Sequence, residues 1–363
     1  MPLVDLQRQN AELFDELRAA LDDVVRRNDF MLGEEVEKFE REFAGFCEAR
    51  DAVGVASGTA ALALGLSAAG IGPGDEVIVP AHAAITSALG VLHAGATPAL
   101  CDVRADTGLI DVGSASELVS DRTAAVIAVH LYGQVCDMHE VRAFADRHGL
   151  LVIEDAAEAP GARFAGSRAG SFGDLATFSF HPRMNLGALG NGGAVSTDDP
   201  AIAERVRRLR DLGRGGSAEH VEIGFEGGLH GIQAAVLRVK LRHIERKNSA
   251  RRAWAGMYRA LLPRDVIALW EDPRGECVYH LFPIRIPGRD SVLGALRREG
   301  IAAGVPHWPP LHSQPPLVGY RLPRVGVAAT EEWSQEALSL PMFPELSVDE
   351  VALVGDALAA VLD

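Results

Sequence analysis

Lysine is nearly missing from this sequence. The 363 residues hold three, Lys38, Lys240 and Lys247, and the stretch 39–239 holds none. Arginine fills the remaining basic positions. A guanidinium stays protonated and offers no amine nucleophile, so residues 39–239 supply no side-chain amine for an imine. Long apolar runs are also missing, and nothing reaches the length of a membrane-spanning helix. The start, Met1-Pro-Leu-Val-Asp-Leu, has no basic region followed by an apolar block, so a cytoplasmic protein with no membrane partner is expected. Positive charge is short as well. A formal net charge of −15 lacks the clustered cations that a phosphate backbone demands, and no nucleic-acid partner is expected. The four cysteines, Cys47, Cys101, Cys136 and Cys277, are widely spaced and form no metal-type pair. They read as reduced thiols, with no metal site.

What is present is a repeated alternation of short β-branched runs and amphipathic stretches. Strands are predicted at 52–55, 76–79, 97–102, 125–130 and 150–154, with helical stretches between them. That spacing predicts an α/β fold with a mainly parallel sheet covered by helices on both faces. Sites in such sheets lie beyond the carboxyl ends of the strands, and Thr59, Ala84, Asp155 and Ser179 fall at or near such ends. Asp174–Phe180 and Gly193–Thr197 read as a strand pair flanking a glycine-rich turn. Ile232–Lys247 reads as one long connecting helix. Beyond it the pattern changes to α+β, which predicts a large domain over 1–248 and a smaller C-terminal domain over 249–363.

Two segments carry chemistry. Ala56-Ser57-Gly58-Thr59-Ala60 sits between a strand and a helix. Backbone N–H groups and the helix dipole there make a phosphate cradle, although Ser and Thr at such a place also serve as plain N-caps. The second segment is Phe178-Ser-Phe-His-Pro-Arg-Met-Asn-Leu-Gly-Ala-Leu-Gly-Asn-Gly-Gly-Ala-Val195, preceded by Ile153-Glu-Asp-Ala-Ala157.

With Gly72-Pro-Gly-Asp-Glu-Val-Ile-Val-Pro80, Leu131-Tyr-Gly-Gln134 and Gln233-Ala-Ala-Val-Leu-Arg-Val-Lys-Leu241, these segments resemble the DegT/StrS-type sugar aminotransferases. Those are fold type I enzymes dependent on pyridoxal phosphate (PLP). The resemblance runs nearly end to end and implies a homodimer with active sites at the interface and a nucleotide-linked keto-sugar as substrate. It assigns Asp155 to the pyridine nitrogen, and Gly58, Thr59 and Ser179 to the cofactor phosphate. It sets His181 beside the imine lysine, whose own position is Met184.

Other positions also depart from the family pattern. Ala84 stands where an aromatic ring stacks on the cofactor, Glu158 where a glutamine or histidine positions it, and Glu226 where an asparagine reaches the phosphate of the other subunit. A thioether can neither form an imine nor carry a proton. The expectation is therefore a diverged member of the family in sugar or secondary-metabolite biosynthesis, with no covalent cofactor. Its cleft is expected to be lined by His82, Asp155, Glu158, His181, Glu226 and His230. Such a set could serve acid/base chemistry on a small molecule, such as dehydration, isomerisation, cyclisation or hydrolysis. Two alternatives stand beside it. One is an enzyme that binds PLP or pyridoxamine phosphate (PMP) non-covalently. The other is a non-catalytic chain that pairs with an active paralogue or binds a regulatory ligand.

Overall fold

A computed structural model describes every residue save Ser217, Asp265 and Asp363. Its centre is a seven-stranded sheet. In chain order the strands are β1 (Asp51–Val55), β2 (Glu76–Pro80), β3 (Thr97–Cys101), β4 (Thr123–Val129) and β5 (Leu151–Asp155), then β8 (Leu175–Ser179) and β9 (Gly193–Thr197) after two short strands, β6 (Arg163–Phe164) and β7 (Ser167–Arg168). Their spatial order is β1-β9-β8-β5-β4-β2-β3. The β2–β3, β2–β4, β4–β5 and β5–β8 pairs are parallel. The β8–β9 and β1–β9 pairs are antiparallel. Strand β2 is buried throughout and β4 over its last five residues, as a parallel sheet covered on both faces requires.

The helix Glu34–Cys47 is clamped to the end of β8, an interior strand of this sheet, by aromatic contacts. Phe43 meets Phe178 edge-on at 4.9 Å and Phe180 at 5.2 Å, and Phe39 meets Phe180 at 5.3 Å. Each buried ring contributes about 1.5–3 kcal/mol from area alone, and edge-on pairs add about 0.5–1.5 kcal/mol. This anchorage fixes the end of β8 and the chain that leaves it at His181.

A second core gathers around a small antiparallel sheet, β10 (Ile267–Ala268), β12 (Phe282–Arg285) and β13 (Ala337–Leu340), with buried residues drawn from 255–358. Strand β11 (Gly275–Glu276) pairs instead with β6. The expected single helix 232–247 is two helices, Gly231–Leu241 and Ile244–Leu261. The expected boundary at 248/249 lies inside the second of these. Asn248 there is buried, donates to the Pro160 carbonyl at 2.9 Å and accepts from Asn185 at 3.1 Å. The chain passes between the two cores along this continuous helix.

Candidate active site

A cleft of about 400 Å³ opens beyond the carboxyl ends of β4, β5 and β8. Its lining includes Gly58, Thr59, Ala84, Asp155, Glu158, Ser179, His181 and Met184. One sheet edge thus collects residues the sequence scatters over more than a hundred positions.

One end of the cleft is built to take an anion. Ser57 is extended and caps the helix Gly58–Ala68, its Oγ accepting from Ala60 N at 3.1 Å. The amides of Gly58 and Thr59 belong to the first turn and have no intrahelical acceptor. The Ser179 hydroxyl lies against them: a Cβ on Gly58 would stand 2.7 Å from Ser179 Cβ. Gly193, paired with Ser179 across β8–β9, is equally constrained, since a Cβ there would meet the Ser57 carbonyl oxygen at 2.4 Å. Two missing side chains let a helix N-terminus, a serine and a strand pair share one spot.

The floor is Asp155, the last residue of β5. Its Oδ2 accepts from Ser87 Oγ at 2.6 Å and its Oδ1 from Ala157 N at 3.3 Å. Burial raises its pKa, and the Ser87 and Ala157 donors only partly offset that. No cation pairs with it among the described residues. A buried carboxylate in this state favours a positively charged partner in the cleft.

The wall is Glu158. Its Oε2 accepts from Tyr132 N at 2.6 Å, and His307 Nε2 stands 3.2 Å from its Oε1, near enough for an ion pair but out of line for a hydrogen bond. Burial works to raise the Glu158 pKa, yet His307, His280 and the Tyr132 amide outweigh it and hold the carboxyl down at about 2. Next to this pair, His82 Nε2 and Tyr132 Oη are 2.7 Å apart, and His82 packs on Trp333 at 5.6 Å.

Three of the six residues expected to line the cleft do not reach it within one chain. His82 is 1% exposed and belongs to the aromatic cluster behind Glu158. Burial, then the charge of His307, pushes its pKa down to about 3, so it is a neutral packing group. Glu226 and His230 are exposed and join backbone bridges with Asp211 and Met31. Asp155, Glu158 and His181 do line the cleft, as do Gly58, Thr59, Ser179 and Met184. The sequence reading missed Ser87, His130, Thr177 and Asn191 in the lining, and His307 behind Glu158. Ser87 carried a signal, lying in the first turn of a helix that starts at a strand end.

No lysine or arginine lines the cleft among the described residues. Lys38 pairs with Glu34 at 2.8 Å on the surface, Lys247 pairs with Glu345 at 2.9 Å, and Lys240 is buried in the helix Gly231–Leu241. The anion cradle and the uncompensated Asp155 suit the two ends of a pyridinium ring phosphate. Met184 and Ala84 suit neither an imine nor ring stacking. The residues therefore fit such a cofactor held without a covalent bond.

Residues 12–359 match the DegT/DnrJ/EryC1/StrS aminotransferase family. The chain belongs to this family. It is 42% identical over 361 residues to a dTDP-3-amino-3,4,6-trideoxy-alpha-D-glucose transaminase of Streptomyces venezuelae, covering 98% of this chain and 95% of that relative. It is 39% identical over 363 residues to a UDP-N-acetyl-3-dehydro-alpha-D-glucosamine 3-aminotransferase of Acidithiobacillus ferrooxidans, covering 100% and 98%. The crystal structure of S. venezuelae DesV with a ketimine intermediate superposes with a TM-score of 0.95 at 41% identity, covering 99% of this chain and 97% of that one. The fold expected from the sequence, a fold type I aminotransferase with a mainly parallel sheet, is the fold of this family member.

Proposed function

We propose that this family member acts in sugar or secondary-metabolite biosynthesis on a small molecule such as a sugar nucleotide, with PLP or PMP held non-covalently in the cleft. One observation carries the reading. Asp155 with its Ser87 donor, and Gly58, Thr59 and Ser179, converge on a single cleft whose lining includes Met184 and no lysine. The names of the relatives support the substrate class.

When bound, the cofactor would supply an electron sink for carbanion chemistry. Asp155 would hold the ring nitrogen protonated, and Ser87 would fix the Asp155 carboxylate in place. The Gly58 and Thr59 amides and the Ser179 hydroxyl would hold the phosphate through fixed dipoles that cost no reorganisation. His181 stands at the cleft rim with its Nδ1 accepting from Arg183 N at 3.3 Å. A neutral imidazole in that hydrogen bond carries its hydrogen on Nε2, which equips His181 to donate a hydrogen bond to a group in the cleft. Met184 fills apolar space and moves no proton.

The same arrangement disfavours a cofactor-free acid/base enzyme, because His82 is buried in the aromatic cluster behind Glu158 and does not line the cleft. A homodimer belongs to the proposal. Leu212, Val221, Ile223 and Phe225 are exposed on one segment, Ile223 at 91%, and a second copy covering them would be favourable. The test is to incubate the protein with PLP or PMP, remove free cofactor by dialysis, treat with borohydride and weigh the polypeptide. The expected result is stoichiometric cofactor that leaves on denaturation. A borohydride-stable adduct, or no retained cofactor, overturns the proposal.

A further inference from the structure

Strand β8 ends at Ser179, and a tight turn follows. Met184 N donates to the His181 carbonyl at 2.9 Å, which closes the turn His181-Pro182-Arg183-Met184. Its two ends, His181 and Met184, line the cleft. Arg183, at the tip, is exposed, and among the described residues its guanidinium has no carboxylate or carbonyl partner. Other arginines around the sheet are committed: Arg142 to Asp174, Arg163 to Glu48 and Arg210 to Glu40.

The charge of Arg183 lies on the cleft side of this turn. His280 Nδ1 is 3.3 Å from Oδ1 of Asn185, the residue after Met184. Burial first, and then the opposed charges of Glu158 and of cations that include Arg183, set the His280 imidazole down at about 4. Arg183 and the Glu158 carboxylate of the cleft wall therefore lie within electrostatic reach of one buried ring.

The cleft itself leaves little room for a second anion. His130 lines it, but its Nε2 is taken by Glu154 at 2.9 Å. His307 stands behind the wall, 3.2 Å from Glu158. The cradle at Gly58 and Thr59 accommodates one phosphate, that of the cofactor. Further inside, a substrate anion would face Asp155 and Glu158 and be repelled. At the mouth it meets an uncommitted guanidinium, whose planar fork takes two phosphate oxygens at once.

We propose that Arg183 binds a phosphate group carried by the substrate and holds it at the cleft mouth, with the reacting end of the substrate directed inward. This rests on the cofactor reading above and names the residue that selects a phosphorylated substrate. A nucleotide-linked diphosphate is retained, and a nucleoside or free sugar is not.

Calorimetric titration of the full chain with uridine diphosphate, uridine and glucuronate, with and without excess PMP, tests this. The wild type is expected to hold uridine diphosphate about tenfold or more tighter than the other two, the scale of a hydrogen bond to a charged group. Added salt is expected to weaken that binding, as for any exposed charge contact. Arg183→Gln is expected to lower uridine diphosphate affinity about tenfold and to leave PMP affinity unchanged. Arg183→Lys keeps the charge without the fork and is expected to fall between. Arg147→Gln, on the helix Met138–His148, removes the same charge from another exposed site and is expected to have no effect. Far-UV circular dichroism of each variant checks the fold. Unchanged affinity in folded Arg183→Gln, an equal loss in Arg147→Gln, or no preference of the wild type for uridine diphosphate overturns this proposal and leaves the cofactor reading standing. Displacement of uridine diphosphate by PMP puts its phosphate in the cradle and also overturns it. A chain that retains no PMP overturns the cofactor reading, and the Arg183→Gln comparison still decides this one.

Discussion

Ser87 Oγ donates to Asp155 Oδ2 across 2.6 Å, from the first turn of the helix Ile85–His93 to the end of β5. The bond is buried, and it is the main favourable contact of a carboxylate whose burial otherwise disfavours its charge. Hydrogen bonds to charged groups contribute about 1.5–3 kcal/mol. Ser87→Ala is therefore expected to weaken PMP binding about tenfold or more, and Ser87→Thr to keep most of it. Titration by fluorescence or dialysis reads the difference. Unchanged affinity in Ser87→Ala would remove Asp155 from the cofactor site.

Gly58→Ala places a methyl group 2.7 Å from Ser179 Cβ. Either the helix start or the end of β8 must move, and overpacking of this kind costs about 1–3 kcal/mol. The expected result is a lower melting temperature together with loss of phosphate-ester binding, measured by competition with inorganic phosphate. A variant that melts lower but binds normally would show that the cradle lies elsewhere.

Met184→Lys is expected to leave glutamate-dependent transamination at background. The new ammonium would lie in a cleft with Asp155 and Glu158, and neighbouring carboxylates stabilise the charged, non-nucleophilic form of an amine. Ala84 would still offer no ring to stack on. A keto-acid release assay decides it, and turnover above that of the wild type would count against this account of the cleft.

His82 and His280 give the protein an acid-sensitive stability. Burial comes first for both and pushes them from 6.5 down to about 3 and about 4. Between those values and 6.5 the unfolded chain binds protons that the folded chain does not, so stability falls as the pH is lowered below about 6.5. Each group contributes at most about 1.4 kcal/mol per pH unit over its window. Urea unfolding between about pH 7.5 and about pH 5 measures the slope. His82→Gln keeps a partner for Tyr132 and removes one titration, so its slope is expected to be shallower.

Much of this was legible before any coordinates. Runs such as Glu76–Pro80 and Ala125–Val129 are β-branched and uncharged beyond their first residue, and only a covered parallel sheet suits them. Gly58, Thr59, Asp155, Ser179 and Met184 were found because each lies in a short segment whose local order carries the signal. His82 misled for a related reason. Its residue type suits a cleft, but nothing local says which way a side chain faces, and His82 turns into the Tyr132–Trp333 cluster. His307 escaped altogether, because its partner Glu158 sits on a different element and only the tertiary fold joins them.

The near absence of lysine also shapes how the molecule meets electrophiles. Lys240 and Lys247 are 6% and 5% exposed, which leaves Lys38 as the one side-chain amine with substantial access to solvent. Acylating reagents and aldehydes will mark two solvent-accessible amines, Lys38 and the α-amino group of Met1, neither of which lines the cleft. Conjugation at Lys38 therefore offers a handle for tethering the molecule to a support with its cleft untouched.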